Sequence, residues 1–255
     1  MSEFQDQFSN HAACYAQARP GYLPELFAYL AELVPQHRLA WDAGTGNGQA
    51  AIGLAAHFER VIATDASAAQ IAHAVRHERI EYRVATAEEA DLESASVDLV
   101  TVAQAMHWFG LDAFYANVRR VLAPGGCIAV WCYTLPQVNE AVDVVMMHLY
   151  RDITGPFWPA DRKHVEERYE TIPFPFAEIR PVPPFACRFD WTLGEYLNYL
   201  TSWSGSQGYK RKHGADPVEL VRGEFESAWG GAERRVVSWP IYLRAGRIAG
   251  GGRPS

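Results

Sequence analysis

Residues 42–48 read Asp42-Ala43-Gly44-Thr45-Gly46-Asn47-Gly48, a glycine-rich segment between two regular elements. The apolar run 38–42 has the pattern of a short β-strand, and the alanine-rich segment 49–58 has helical composition. Glycines at such a junction allow positive φ angles and a close approach of the backbone to a ligand. The N-terminus of the following helix offers free N–H groups. The segment therefore predicts a ligand-binding loop at the end of a strand.

Strand-like and helix-like segments alternate on both sides of this loop. Strands are predicted for 38–42, 60–64, 80–84, 97–103 and 127–131, and helices for 49–58, 67–76 and 111–122. The alternation is typical of βαβ units and predicts a parallel sheet. In the second half, helices are predicted for 137–153, 193–203 and 217–229, and strands for 185–191 and 235–244. The helices between the last two strands therefore look like an insertion.

The residues around the loop discriminate between classes of ligand. Dinucleotide sites carry a GxGxxG sequence, whereas the glycines here run GxGxG and Gln49 stands at the third-glycine position. Asp42 precedes Gly44 by two residues, where a carboxylate disfavours a pyrophosphate and suits a cation or an amine. No Gly-Lys-Ser/Thr sequence follows, which argues against a phosphate P-loop. A nicotinamide-dependent oxidoreductase is therefore the weaker alternative.

A second acid, Asp65, lies 21 residues after Gly44, at the end of the second predicted strand. In doubly wound folds this point is at the carboxyl edge of the sheet, beside the first loop, where a carboxylate can accept both hydroxyls of a ribose. Together, the loop and this acid predict an adenosine-like ligand that needs no phosphate group in order to bind.

Several segments resemble the motifs of class I S-adenosylmethionine-dependent methyltransferases. DAGTGNG (42–48), VIATDAS (61–67) and VATAEEADLESASVDLV (84–100) resemble the first three motifs, and RVLAPGGCIAVW (120–131) resembles the stretch before the fifth strand. AQAMHWF (103–109) and YAQARPGYLPEL (15–26) resemble a small-molecule group, type 11, that includes relatives of trans-aconitate methyltransferase. One departure is Thr86, where many relatives carry an Asp.

The resemblance implies an α/β fold: a Rossmann-like, doubly wound, seven-stranded and mostly parallel sheet with an antiparallel C-terminal strand pair and a helical insertion. The expected organisation is a single domain over 1–245. Within it, 1–36 would form an N-terminal lid segment, and 135–184 and 192–232 a helical and loop cap over the acceptor site. A disordered tail is expected for 246–255, which is rich in glycine.

The resemblance also implies where S-adenosylmethionine is bound. Asp42 is expected to receive the methionine amine, directly or through water, and Asp65 the ribose hydroxyls. Glu88 either meets adenine or lies on a surface turn. Gln104 is expected at the methionine moiety, and Arg19 either pairs with its carboxylate or is solvated. The expected cofactor-binding residues are Tyr15, Arg19, Asp42, Ala43, Gly44, Thr45, Gly46, Asp65, Ala66, Ala87, Glu88 and Gln104.

Candidates for the acceptor pocket follow directly after Gln104. His107 and Trp108 are expected to line this pocket, with structural packing as the alternative for both. His107 is the nearest candidate for a general base. A carboxylate acceptor is already ionised at neutral pH and needs no base. The basic cluster Tyr209-Lys210-Arg211-Lys212-His213 is either a solvated charge run or an electrostatic guide for an acidic substrate.

Composition excludes several other classes of protein. The 255 residues are 49% apolar and 21% charged, as in ordinary globular domains. A net charge of −7 disfavours nucleic acid as a partner. The four cysteines form no CxxC pair, and His73 and His77 lack a third ligand, so no metal is expected. No signal peptide and no apolar run of about 18 residues is present, so no membrane association and a cytoplasmic location are expected.

Taken together, these features predict methyl transfer from S-adenosylmethionine, with S-adenosylhomocysteine as product, to a small soluble metabolite. A carboxylate acceptor, and hence O-methylation, is the favoured version. Proximity and desolvation are expected to be the main catalytic contributions. The alternative from a non-enzyme class is a protein that binds the methyl donor without catalysis. The sequence leaves the acceptor and the oligomeric state open.

Overall fold

The fold is taken from a computed structural model, which describes residues 21–248. Tyr15 and Arg19, most of the expected N-terminal lid and residues 249–255 of the expected tail lie outside the described residues.

Within residues 21–248, eight strands form one sheet in the order β3-β2-β1-β4-β5-β8-β6, and β7 also pairs with β8. The first five strands are parallel, and β8 runs antiparallel to β5, β6 and β7. The predicted α/β fold with a mostly parallel sheet and antiparallel C-terminal strands is thus confirmed. The strands are β1 (Leu39–Ala43), β2 (Arg60–Asp65), β3 (Ile80–Val84), β4 (Val97–Ala103), β5 (Leu122–Tyr133), β6 (Ala177–Glu178), β7 (Phe185–Trp191) and β8 (Arg235–Arg247).

Two details of the sheet differ from the sequence prediction. Seven strands were expected and eight are present, because Ala177–Glu178 pairs with the end of β8. The last strand also runs to Arg247 rather than ending at residue 244, so Gly246 belongs to the sheet and not to a disordered tail. Gly246 packs under Phe174 and Phe176, where an added Cβ would lie 2.9 Å from each side chain.

Nine α-helices lie within the described residues, and most connect or cover the strands. They are α1 (Pro24–Glu32), α2 (Gln49–Ala55), α3 (Ala68–Ala72), α4 (Leu111–Val121), α5 (Glu140–His148), α6 (Arg162–Glu166), α7 (Leu193–Thr201), α8 (Ser204–His213) and α9 (Arg222–Trp229). A π-helical turn, Leu149–Ile153, extends α5, and a 3₁₀ turn, Pro217–Leu220, precedes α9. No helix within residues 21–248 is long and apolar enough to cross a membrane.

Apolar residues are buried on both faces of the sheet. On one face, Trp131 and Trp239 pack with helices such as α1, α2 and α7. On the other, Trp41 and Phe114 pack with α4 and with the segment that precedes β6. Strands buried on both faces carry nearly continuous apolar runs, as β4 does. Because the neighbours β1 and β4 connect in opposite directions, their carboxyl ends leave a crevice, the usual ligand site of open α/β sheets.

Candidate active site

A cavity of about 390 Å³ lies at the carboxyl ends of β1, β2 and β4. This volume is within the usual range for a small-molecule site. Its lining residues come from the glycine-rich loop, the strand ends and the turns that follow them. They are Tyr22, Gly44, Thr45, Gly46, Asn47, Gln49, Ala50, Asp65, Ala66, Ser67, Gln70, Ala85, Thr86, Ala87, Glu88, Ala103, Gln104, Ala105, Trp108, Phe109 and Tyr133.

The loop has the backbone that its glycines predict. Gly44, Gly46 and Gly48 have φ angles of 67°, 58° and 88°. A Cβ on Gly44 would lie 2.6 Å from Cβ of Ala105, so this position tolerates no side chain. A Cβ on Gly46 would meet only Oε1 of Gln70, at 4.0 Å. The loop is therefore packed tightly on the sheet at Gly44 and open to the cavity at Gly46.

Asp42 lies behind the loop and not on the described cavity wall, so a contact with the methionine amine would have to pass through water. The residue is fully buried, and its carboxylate accepts hydrogen bonds from the hydroxyls of Thr45 (2.5 Å) and Thr101 (2.8 Å). Burial raises the pKa of Asp42 to about 6, against the lowering effect of the two threonine hydrogen bonds. Its contacts assign it to fixing the loop on β4. Ala43 is likewise buried and does not line the cavity.

Asp65 lines the cavity at the end of β2, as the sequence predicts. Its Oδ2 accepts the N–H of Gly46 and its Oδ1 accepts the N–H of Ser67, both at 2.8 Å. Burial raises the pKa of Asp65, and these two backbone hydrogen bonds oppose the rise. A carboxylate oxygen can accept more than one hydrogen bond. Asp65 can therefore orient the loop and still accept a pair of hydroxyls.

Gln104 joins the ends of β4 and β5 beside the cavity. Its Nε2 donates to the carbonyl of Tyr133, and its Oε1 accepts the N–H of Tyr133, both at 3.0 Å. Gln104 also has a φ of 60°, a conformation that non-glycine residues rarely adopt outside constrained sites. Because both side-chain groups are engaged and the backbone N–H donates to the carbonyl of Trp131 at 2.9 Å, the group of Gln104 offered to a ligand is its backbone carbonyl.

Another part of the cavity wall is formed by the turn that follows β3. Ala87 is buried, and Glu88 accepts the N–H of Gly110 at 2.5 Å, which ties this turn to the start of α4. Thr86 has a buried hydroxyl with no hydrogen-bond partner within residues 21–248. An unpartnered buried hydroxyl is costly, so a ligand that supplies a partner gains from it.

His107 and Trp108 lie on a 3₁₀ turn, Met106–Trp108, just beyond β4. Trp108 lines the cavity and is 36% exposed, whereas His107 is behind it, with ring centroids 4.4 Å apart. Nδ1 of His107 lies 2.9 Å from the hydroxyl of Tyr169. The predicted acceptor residues are thus adjacent, but only Trp108 is part of the described wall.

Similarity to known proteins identifies the family. The family model described as a methyltransferase domain matches residues 41–130. A protein named as a methyltransferase in Dictyostelium discoideum is 32% identical over 250 residues, which covers 95% of each chain. This chain belongs to the class I S-adenosylmethionine-dependent methyltransferases. A solved structure described as a type II methyltransferase of Anaeromyxobacter dehalogenans is 45% identical to this methyltransferase, with a TM-score of 0.86 over 90% of this chain and 98% of that one.

More distant methyltransferases share the fold. Phosphoethanolamine N-methyltransferase 2 of Haemonchus contortus, solved with phosphomonomethylethanolamine and S-adenosylhomocysteine, is 17% identical with a TM-score of 0.50. The match covers 97% of this methyltransferase and 61% of that chain.

The structure brings together most of the predicted cofactor residues of this methyltransferase. Those on the cavity wall are Gly44, Thr45, Gly46, Asp65, Ala66, Ala87, Glu88 and Gln104. Several wall residues were not predicted, among them Gln70, Phe109 and Tyr133. Position after a strand end could have indicated Tyr133, but Gln70 lies within a helix and has no sequence signal. Within residues 21–248, no group of three or more His, Cys, Asp or Glu is arranged to hold a metal ion.

Proposed function

We propose that this methyltransferase transfers the methyl group of S-adenosylmethionine to a small soluble molecule, and that a carboxylate is the favoured acceptor. One observation carries the proposal: the cavity at the β1–β4 crevice has a polar loop on one side and aromatic residues on the other. The aromatic residues are Tyr22, Trp108, Phe109 and Tyr133. A site of this form suits a small ligand that is largely enclosed.

The described residues fit S-adenosylmethionine. Asp65 suits the ribose hydroxyls, the unpartnered hydroxyl of Thr86 suits a nitrogen of adenine, and the open side of Gly46 suits close approach of the ligand. The bound cofactor supplies a methyl group on a sulfonium sulfur, whose departure as a neutral thioether needs no proton. The residues of the chain therefore have to align the two reactants and exclude water.

Positive charge beside Cys132, near the end of β5, supports the carboxylate version. Arg162 stacks its guanidinium 4.1 Å from the ring centroid of Trp158, and Arg168 lies 4.6 Å from that of Tyr242. Both charges act to lower the pKa of the Cys132 thiol, which burial raises to about 12. The Cys132 side chain packs in the same apolar cluster as Ala87 and Ala105 of the cavity wall, although neither arginine itself lines that wall. Neither arginine forms an ion pair with a carboxylate within residues 21–248.

The basic cluster of residues 209–213 does not lie on the described cavity wall. Lys210, Arg211 and Lys212 lie on the exposed last turn of α8. Their described contact is with the segment between α5 and β6, since Nζ of Lys212 lies 5.5 Å from the ring centroid of Phe157. None of the three lines the described cavity, so the solvated interpretation is favoured over a guide for the substrate.

Calorimetry with S-adenosylmethionine, S-adenosylhomocysteine and NAD tests the cofactor, and Asp65→Ala is the informative variant. Loss of a hydrogen bond to a charged acceptor costs roughly 1.5–3 kcal/mol, so affinity for S-adenosylmethionine should fall about tenfold or more. Glu81→Ala, which removes an exposed carboxylate from the neighbouring strand, is the control and should bind normally. Unchanged affinity in folded Asp65→Ala would refute the ribose assignment.

A labelled methyl donor then tests catalysis against a panel of acids, phenols and amines. Transfer to a small acid supports the proposal. Tight cofactor binding without transfer to any member of the panel or of a metabolite extract would favour the non-catalytic alternative.

A further inference from the structure

Gln70 is a buried polar side chain on the wall of the cavity. It lies on α3, the helix that follows β2, and is 7% exposed. Within residues 21–248 its side-chain amide makes no hydrogen bond, although its backbone N–H donates to the hydroxyl of Ser67 at 3.3 Å. Burying an amide without a partner is costly, so the contents of the cavity have to supply its partners.

The amide of Gln70 is close to the glycine-rich loop. A Cβ placed on Gly46 would have Oε1 of Gln70 as its nearest neighbour, at 4.0 Å. Gly46 is the point at which the loop is open to the cavity, and both residues line that cavity. The amide therefore borders the space that the open side of the loop leaves for a ligand.

Gln70 and Asp65 are connected through two shared neighbours. Asp65 accepts the N–H groups of Gly46 and Ser67, both at 2.8 Å. Gln70 approaches Gly46 with its side-chain amide and Ser67 with its backbone N–H. The carboxylate and the amide thus border the same part of the cavity, at the end of β2.

The two side chains offer complementary hydrogen-bonding groups. An ionised carboxylate only accepts hydrogen bonds, whereas the amide of glutamine also donates, and a ribose hydroxyl does both. When a hydroxyl donates to Asp65, its oxygen is left to accept, and Nε2 of Gln70 is a buried donor beside that carboxylate. Asn47 and Gln49 also line the cavity, but they are partly exposed, so water can serve their amides.

We propose that Gln70 is a cofactor-binding residue for the ribose of S-adenosylmethionine, and that its amide donates to a hydroxyl which itself donates to Asp65. The inference rests on the proposed assignment of the cavity to the cofactor and adds a residue that determines specificity. A deoxyribose would leave both the buried amide and the carboxylate without that partner, which is costly. The pair should therefore discriminate between the ribose and the deoxyribose forms of the ligand.

Calorimetry of the full chain with S-adenosylhomocysteine and its 2′-deoxy and 3′-deoxy analogues measures this discrimination. Gln70→Met keeps the length and the helix preference of the side chain but removes the amide. It should weaken S-adenosylhomocysteine binding about fivefold to tenfold, as expected for one hydrogen bond. For the analogue that lacks the contacted hydroxyl, Gln70→Met should bind at least as well as the wild type, because the hydrogen bond is absent from both complexes.

Gln207→Met is the matched control, since it makes the same change at an amide that has a protein partner. Nε2 of Gln207 donates to the carbonyl of Thr201 at 2.7 Å, and Gln207 is not on the described cavity wall. The control should lower the midpoint of urea unfolding and leave S-adenosylhomocysteine binding unchanged. Gln70→Met should instead leave the midpoint equal or higher, because the amide that it removes has no partner within residues 21–248.

Two results would overturn the role of Gln70. One is an unchanged affinity of Gln70→Met for S-adenosylhomocysteine. The other is an equal loss for S-adenosylhomocysteine and both deoxy analogues, as expected if Gln70 only packs against the loop.

Asp65→Ala separates this role from the wider proposal. If Asp65→Ala weakens binding and Gln70→Met does not, the cavity holds the cofactor and the Gln70 assignment alone fails. If the wild type does not bind S-adenosylhomocysteine, or if both variants bind it like the wild type, the assignment of the cavity to the cofactor fails as well.

Discussion

Two buried carboxylates near the first strand have different kinds of hydrogen-bond partner. Asp98 accepts the backbone N–H groups of Arg38 (2.8 Å) and Leu39 (3.1 Å) and pairs with the guanidinium of Arg38. Asp42 has two hydroxyls and no cation among its described hydrogen-bond partners. A buried carboxylate with only neutral partners is costly in its charged form. The glycine-rich loop is therefore attached to the sheet through a carboxyl group that titrates near neutral pH.

This titration predicts how stability depends on pH. The pKa of Asp42 is about 6 in the folded state and near its ordinary value of 3.8 when unfolded. Between these values the folded state binds more protons, so this group's contribution to the free energy of unfolding falls as pH rises. Two pKa units correspond to about 3 kcal/mol. Relative to Asp42→Asn, the wild type should lose about this much stability between pH 4 and pH 7 in urea unfolding. Parallel pH profiles for the two proteins would contradict the prediction.

Replacing Thr86 by valine should affect stability and S-adenosylmethionine binding in opposite directions. Its buried hydroxyl has no partner in the described structure, so Thr86→Val should leave the free energy of unfolding equal or higher. If the hydroxyl meets adenine, the same change should weaken S-adenosylmethionine binding roughly fivefold to tenfold in calorimetry. Thr86→Ser keeps the hydroxyl and should bind like the wild type. Equal affinity in all three proteins would remove Thr86 from the cofactor site.

The pattern of apolar residues predicted strands and helices well where tertiary packing agrees with the local preference of the sequence for that structure. The first four strands fall where the sequence predicts them, whereas β5 begins at Leu122 and not at residue 127. The helix capped by Ser67 starts as predicted but ends at Ala72 and not at residue 76. The site loop was predictable for the same reason, because its glycines are needed by the backbone itself. Ala177–Glu178 was not predictable, since two residues carry no periodicity and are placed by pairing with β8.

Helix α8 shows tertiary contacts overriding local preference. Its sequence contains two glycines and a run of charges, and the region 209–213 suggested a loop. In the structure Gly205 lies against Trp158 and Gly208 against Phe157, where a Cβ on either would be 3.0 Å or less from the aromatic residue. The glycines therefore allow α8 to pack closely on the segment between α5 and β6, a reason that cannot be seen without knowing what α8 contacts.

Gly46, in the loop between β1 and α2, and Gly214, at the end of α8, should respond differently to the same substitution. Gly46 and Gly214 have φ angles of 58° and 75°, and neither has a close obstacle to a Cβ. Gly46→Ala and Gly214→Ala should each lose about 1–2 kcal/mol in unfolding experiments, because alanine disfavours this backbone region. Only Gly46→Ala should also weaken S-adenosylmethionine binding, by tenfold or more, since Gly46 lines the cavity and Gly214 ends α8. Equal binding by both variants would refute the loop assignment.

At the scale of the whole molecule, charge is distributed unevenly. The chain has a net charge of −7, yet the segment between α5 and β6 places Arg162 and Arg168 near the end of β5. Nε of Arg162 donates to the hydroxyl of Tyr150 at 2.9 Å, which holds the guanidinium against Trp158. Exposed charges separated by more than about 8 Å are screened at physiological ionic strength. Proximity to the acceptor side, more than the number of charges, should therefore decide which basic residues affect the substrate.

A salt titration with two sets of charge variants tests which basic residues act on the acceptor. If the acceptor is an anion, its KM should rise with ionic strength in the wild type. Arg162→Gln with Arg168→Gln should raise KM at low salt and flatten that rise, whereas neutralising Lys210, Arg211 and Lys212 together should leave the wild-type dependence in place. Arg162→Lys keeps the charge but loses the Nε hydrogen bond to Tyr150, and so separates the effect of charge from that of geometry. A flat KM in the wild type would end the carboxylate version, and a larger effect of the α8 variants would show that their field reaches the site.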